Sequence, residues 1–129
     1  MAFAHVTLPT RDLRRTVAFF EATVGWRRID RPGNIAVPAA WLEVAPGQEV
    51  HLVEIADFEA SPFEREYGRH IAVSFPAASF PGLKRRLEQH GAELIDAERP
   101  TPFERFFFRD PNGYVFEVVA DERAAEALG

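Results

Sequence analysis

The sequence predicts an α+β fold of two tandem βαβββ modules in a single domain spanning residues 1–129, and three observations lead there. The first is an internal repeat: His5-Val6-Thr7-Leu8, a helical stretch ending at Gly25 and then Ile29 recur as His70-Ile71-Ala72-Val73, a helical stretch ending at Gly91 and then Ile95. Gly47-Gln48-Glu49-Val50-His51-Leu52-Val53 likewise answers to Gly113-Tyr114-Val115-Phe116-Glu117-Val118-Val119. The second is periodicity, with strand-like alternation on either side of one helical stripe in each half. The third is size: 129 residues, 47% apolar and 27% charged, suit one globular domain and leave no room for a second.

The first module covers residues 1–55. Residues 3–8 alternate and are rich in β-formers, Pro9-Thr10 reads as a strand break, and Thr10 as a helix N-cap. Leu13, Val17, Phe20 and Val24 recur at helical spacing, and Gly25 suits the left-handed residue that ends a helix. Short strands are expected near 26–30, 35–44 and 48–55, parted by the turn signals Arg31-Pro32-Gly33-Asn34 and Pro46-Gly47. Residues 56–69 read as a linker. The second module, residues 70–120, has a strand at 70–75, Ser79 as cap, Phe80, Leu83 and Leu87 as the buried stripe before Gly91, and strands near 92–97, 104–109 and 114–120. Asp110-Pro111-Asn112-Gly113 is its last turn, and 121–129 form a C-terminal tail.

Fifteen basic residues against twenty acidic ones give a net charge of -5, with no cationic stripe, which disfavours nucleic-acid binding. No apolar run approaches the roughly 18 residues of a membrane span, and the N-terminus lacks a signal-peptide pattern, so a cytoplasmic location without membrane partners is expected. The absence of cysteine removes disulfides, thiolate nucleophiles and thiolate metal sites together. Any metal must be held by His, Asp or Glu. Twelve of the sixteen aromatic residues are Phe, so the core is bulky and has few polar handles.

The repeat sets His5 and His70 at equivalent points of the first strand of each half, and His51 and Glu117 at equivalent points of the last. Strand alternation puts His5 with Thr7, His51 with Val53, His70 with Ala72 and Ser74, and Glu117 with Val119, away from the apolar residues that must pack under the helices. A lone strand histidine is usually a hydrogen-bonded core or surface residue, whereas three of four histidines at repeat-related positions beside a carboxylate favour a metal site. His90, at a helix end, and Glu54, on the other face, are read as structural. Imidazole and carboxylate suit a divalent Zn, Ni, Co, Mn or Fe ion. Four such ligands in an octahedral shell leave two positions for neighbouring oxygens of a small-molecule substrate.

The order of these motifs resembles the vicinal oxygen chelate superfamily, which includes glyoxalase I, methylmalonyl-CoA epimerase, fosfomycin-resistance proteins, extradiol dioxygenases and bleomycin-resistance proteins. The resemblance is carried by His5, Asp12-Leu13 and Phe19-Phe20 up to Gly25, by Tyr67-Gly68-Arg69-His70-Ile71-Ala72, and by Phe108-Arg109-Asp110-Pro111-Asn112-Gly113-Tyr114-Val115-Phe116-Glu117. It implies a glyoxalase-like fold, a curved mixed sheet around a central cleft, with His5, His51, His70 and Glu117 as metal ligands. It also implies a homodimer and a metal-dependent enzyme, most simply a glyoxalase-like lyase or isomerase with Glu117 as proton carrier. Glyoxalase-type enzymes usually carry Glu or Gln where this chain has His51. An Fe(II) ring-cleaving dioxygenase is the alternative enzyme, its 2-His-1-carboxylate set met by His5, His70 and Glu117, although Phe107 stands where that signature has Tyr. Fosfomycin-type chemistry would draw on Arg27, Arg28, Arg105 and Arg109. A non-enzymatic drug-binding protein would use Trp41, Phe106 and Phe108 as aromatic walls.

Overall fold

The structure, a computed structural model, describes residues 1–122 and divides into two compact units, Met1–Glu59 and the chain from Ala60 onward. Each repeats the order strand, helix, three strands. The first unit contains β1 (His5–Thr10), α1 (Leu13–Ala22), β2 (Arg27–Ile29), β3 (Ala39–Ala45) and β4 (Gln48–Glu54), with sheet order β1-β4-β3-β2. β1 runs parallel to β4 and the other neighbours are antiparallel, so this sheet is mixed. Its helix-side core holds Leu8, Val17, Phe20, Leu42 and Leu52, each 6% exposed or less, and burying each such side chain stabilises by about 1.5–3 kcal/mol.

Two expectations fail at the first strand. Thr10 does not cap the helix, and Pro9-Thr10 does not break the strand. β1 continues through Thr10, whose buried Oγ1 lies 2.7 Å from Thr16 Oγ1, and Asp12 is the N-cap, its Oδ1 accepting the Arg15 N–H at 3.0 Å. At an edge strand proline forfeits no ladder bond that another strand requires. α1 then ends at Ala22, where the Thr23 hydroxyl bonds back to the Phe19 carbonyl at 2.7 Å, and Gly25 takes the positive φ of 78° that turns the chain toward β2.

The second unit contains β5 (Ile71–Phe75), a short 3-10 turn (Ala77–Ser79), α2 (Phe80–Gln89), β6 (Glu93–Ile95), β7 (Arg105–Arg109) and β8 (Val115–Ala120), in sheet order β5-β8-β7-β6 with β5 parallel to β8. Phe80, Leu83 and Leu87 form the buried stripe of α2, and Phe80 meets Phe106 edge-on at 5.2 Å. Ser79 holds the N-cap position but caps nothing, because its hydroxyl donates instead to the Pro76 carbonyl at 2.7 Å. Phe106 and Phe108 are 3% and 0% exposed on the helix side, so neither is an aromatic wall of a ligand cleft. The predicted strands 26–30, 35–44, 92–97 and 104–109 all shorten or shift by one to four residues, the usual fraying at turns. From residue 123 the expected tail lies outside the described residues. Among those described, no helix is long and apolar enough to cross a membrane.

Candidate functional site

The strand registers show why the repeat-related pairs form. In the first unit Thr7 faces His51 across β1 and β4, and in the second Ala72 faces Glu117 across β5 and β8. His5 and His70 each stand two positions before those partners, on the same face of their strand. The duplicated backbone therefore delivers the four residues as two equivalent pairs. Among the described residues no group of three or more His, Asp or Glu side chains is gathered to hold one ion.

In the first unit His51 is 8% exposed and lies between two rings, stacked on Trp41 at 3.7 Å and 5° and on His5 at 3.9 Å and 15°. Trp41 is its register partner on β3. Its Nε2 sits 2.8 Å from Glu49 Oε1, and since a carboxylate accepts, Nε2 carries a proton and Nδ1 is the nitrogen left to other contacts. Glu49 faces His5 across the register, two residues before His51 and on the same face, a placement that strand alternation in the sequence already carries. The stacked rings lie nearly parallel, so their lone pairs do not converge; one ring must turn for both to meet a single ion.

In the second unit the pair is convergent. His70 Nδ1 lies 3.2 Å from the Arg65 carbonyl, which can only accept, so Nδ1 carries a proton and Nε2 is the nitrogen turned toward Glu117. Glu117 Oε1 faces that Nε2 at 3.3 Å. With a proton on Nε2 this contact is an ion pair, and without it Nε2 offers a lone pair beside Oε1, two donor atoms suited to one cation. Glu117 Oε2 is occupied by Arg105 Nη1 at 3.1 Å, and Arg105 Nη2 reaches Glu66 Oε2 at 2.9 Å. Phe107, 1% exposed, pairs with Glu117 in register, meets the His70 ring edge-on at 5.3 Å and lies under the Arg105 guanidinium.

Residues 56–69, read as a mere linker, build this pair. Glu64 is buried, one carboxylate oxygen accepting the Val115 N–H at 2.9 Å and the other Arg69 Nη1 at 2.9 Å. Arg65 supplies the carbonyl for His70. Burial alone would raise the Glu66 pKa, but the Glu98 N–H at 2.7 Å, Arg105, and the Arg99 N–H at 3.0 Å outweigh it and hold the group at about 2 against an ordinary 4.5. The Glu66 bond raises the Arg105 pKa above its usual value against the effect of burial. Sequence pattern does not expose a contact between residues 66 and 105, which belong to different elements.

Three of the four arginines considered for a phosphonate pocket are committed to carboxylates: Arg27 to Glu43 at 2.9 Å, Arg105 as above, and Arg109 to Glu93 at 3.2 Å. Glu54 is structural, as expected, its Oε2 accepting the Leu13 N–H at 3.0 Å at the start of α1. A groove of about 460 Å³ beside Glu54, Val17 and Arg28 lies on the helix side, away from the face that carries His51.

Paired βαβββ modules that present ligand-type residues from their first and last strands define a known class of protein. The family model of the Glyoxalase/Bleomycin resistance protein/Dioxygenase superfamily matches residues 2–118, and the chain belongs to that superfamily. It is 25% identical over 118 residues to glyoxylase I 4 of Arabidopsis thaliana, covering 88% of this chain and 67% of that protein. It is 26% identical to the lactoylglutathione lyase of Salmonella typhimurium, covering 100% and 99% of the two. To the manganese-dependent 2,3-dihydroxybiphenyl 1,2-dioxygenase of Geobacillus genomosp. 3 it is 27% identical over 97% of this chain but only 38% of that enzyme. A solved structure of the fosfomycin resistance protein FosX from Listeria monocytogenes, with Mn(II) and 1S,2S-dihydroxypropylphosphonic acid, superimposes with a TM-score of 0.77 at 22% identity over 97% of each chain, which shows the fold.

Proposed function

We propose that this protein is a divalent-metal-dependent enzyme acting on a small oxygen-chelating substrate, with glyoxalase-like lyase or isomerase chemistry, and that His5, His51, His70 and Glu117 hold the metal. The observation that carries the reading is the His70 Nε2 and Glu117 Oε1 pair, 3.3 Å apart, with His70 Nδ1 held by the Arg65 carbonyl and Glu117 Oε2 by Arg105. His51, protonated at Nε2 by its bond to Glu49, offers Nδ1. The donor set fits Zn, Ni, Co, Mn or Fe(II). Similarity to a lactoylglutathione lyase over both full lengths supports the lyase or isomerase class.

When bound, the metal supplies a Lewis acid that polarises two neighbouring substrate oxygens. Glu117, if only loosely bound to the ion, is the proton carrier, Oε1 taking a proton from substrate carbon and returning it while Arg105 keeps Oε2 from turning toward the substrate. Phe107 excludes water from the side of His70 and Arg105. A homodimer in the cytoplasm that unites the two pairs belongs to the same proposal.

Metal analysis of the purified protein beside Ala variants at His5, His51, His70 and Glu117 tests the site; undiminished metal content in all four would sink it. A second reading, Fe(II) or Mn(II) ring cleavage, draws support from His5, His70 and Glu117 as a 2-His-1-carboxylate set and from similarity to a manganese-dependent dioxygenase over 97% of this chain. Oxygen uptake with a catechol points to that reading, and anaerobic turnover of a thiohemiacetal to the first.

A further inference from the structure

Building on the metal site just proposed, we infer that Arg105 and Glu66 form a brace that restricts Glu117 to one-oxygen contact with the ion. Arg105 is a positioning residue, and Glu66, supplied by the segment that joins the modules, is what holds it.

The Arg105 side chain is only 3% exposed although it carries a full charge, so its place depends on its partners. Nη1 takes Glu117 Oε2 at 3.1 Å and Nη2 takes Glu66 Oε2 at 2.9 Å. A planar guanidinium can hold two carboxylates at a fixed separation, which a lysine ammonium does as a single point charge. Phe107 supports its face. Nη2 also reaches the Arg99 carbonyl, and the Glu98 and Arg99 N–H groups anchor Glu66 from the other side. Arg105 Nε is buried with no partner, so the guanidinium is positioned through its two Nη ends alone. The consequence falls on Glu117. One of its oxygens is spent, and only Oε1, the atom facing His70 Nε2, is available to a cation.

A carboxylate freed of that restraint can chelate through both oxygens, closing one of the two positions that a four-ligand octahedral ion leaves to substrate. The brace therefore maintains an open two-oxygen site.

Two measurements test this. In metal-free protein, one arginine should show slowly rotating, resolved Nη protons by NMR, and these should collapse in Glu66→Ala and in Glu117→Ala. With Mn(II), water-proton relaxation should report about half as many coordinated waters in Arg105→Met as in wild type, with Arg105→Lys restoring the wild-type number because it keeps one donor on Oε2. Glu66→Ala serves the same purpose should Arg105→Met fail to fold. Resolved Nη protons that persist in Glu66→Ala overturn the brace, and so does a bound-water number that Arg105→Met and Glu66→Ala leave unchanged while Glu117→Ala abolishes Mn(II) binding; in both cases the metal site stands. Mn(II) binding that is absent from wild type, or unaffected by Glu117→Ala, overturns the metal site, and this role of Arg105 falls with it.

Discussion

The two modules place their paired residues by the same strand register but hold them by different physics. In the first, a ring is clamped by rings: His51 lies between Trp41 and His5, with one carboxylate on its edge. In the second, a charge is clamped by charges, Glu117 by Arg105 and Arg105 by Glu66. The residue type at the equivalent position decides which is possible. A neutral imidazole has two faces that stack and can be buried cheaply, whereas an ionised carboxylate at low exposure requires donors and a counter-cation. Duplication preserved the backbone, and the supporting side chains follow the residue type at the equivalent position.

Their supports also differ in where they come from. First-module partners lie on neighbouring strands, while the second module recruits Glu64, Arg65 and Glu66 from the segment ahead of β5. The comparison breaks most sharply there. Gly68 has no room for a side chain: a Cβ would lie 2.0 Å from the Phe63 carbonyl oxygen, the atom that accepts the Arg69 N–H at 2.7 Å. Gly68→Ala should destabilise by about 2–4 kcal/mol, because the loop backbone must shift to admit the methyl group, and should expose the β5 and β8 amides to hydrogen exchange before those of β4. Gly33→Ala, with nothing within 4 Å, is the control and should change urea unfolding little.

The second largest effect is a pH dependence confined to the second module. Burial pushes the Asp110 carboxyl up to about 6 from an ordinary 3.8, even though the Tyr114 and Asn112 N–H groups donate to it. The folded protein then binds this proton more tightly than the unfolded chain, so the contribution is fully present below pH 3.8 and is lost as pH rises through 6. About 2–3 kcal/mol is at stake over that window, at 1.36 kcal/mol per unit. Glu66 runs the other way: its pKa is depressed to about 2, so its contribution is present above 4.5 and disappears as pH falls toward 2. Between pH 4.5 and 6 the Asp110 slope stands alone, and Asp110→Asn, whose amide oxygen still accepts both N–H groups, should flatten the urea midpoint across that range.

Much of this was legible before any coordinates. The repeat located both modules and matched His5 with His70 and His51 with Glu117, because a duplicated strand keeps its alternation and its register together. Glu54 was placed on the helix face for the same reason. The misses are of another kind. Thr10 looked like a cap because Pro9 looked like a strand end, a local signal that an edge strand overrode. Arg105 stands undistinguished beside Arg27, Arg28 and Arg109, since burial of a charge depends on Glu66, 39 residues away in sequence, and periodicity is blind to such a partner. Phe106 and Phe108 differ from Phe107 only by strand face, and that parity put the first two in the core and the third beside His70.

A smaller effect sharpens the contrast from the first module. Trp41→Leu removes one face of the ring clamp while leaving an apolar side chain, so a loss of about 0.5–1.5 kcal/mol beyond the change in buried area is expected. Hydrogen exchange should quicken at β4 and leave β8 unchanged, the reverse of the Gly68→Ala pattern.

The smallest effect on stability comes from Glu49→Gln, and it separates clamping from orientation. The amide oxygen of Gln can still accept the His51 Nε2 proton, so the fold should change by less than about 0.5 kcal/mol, as for other partly exposed polar exchanges. Glu49→Ala removes the acceptor and frees His51 to present either nitrogen, while Trp41 and His5 still hold the ring plane. If Glu49 fixes the tautomer, Glu49→Ala should weaken metal binding by about 10-fold or more, as supporting partners of ligand histidines do, with Glu49→Gln much closer to wild type. Equal metal affinity in Glu49→Ala and wild type, measured by titration with Mn(II), would show that stacking alone sets His51. The two modules would then differ more deeply than their equivalent registers suggest, with an aromatic clamp that holds a ring without choosing its nitrogen and an ionic one that singles out Oε1 of Glu117.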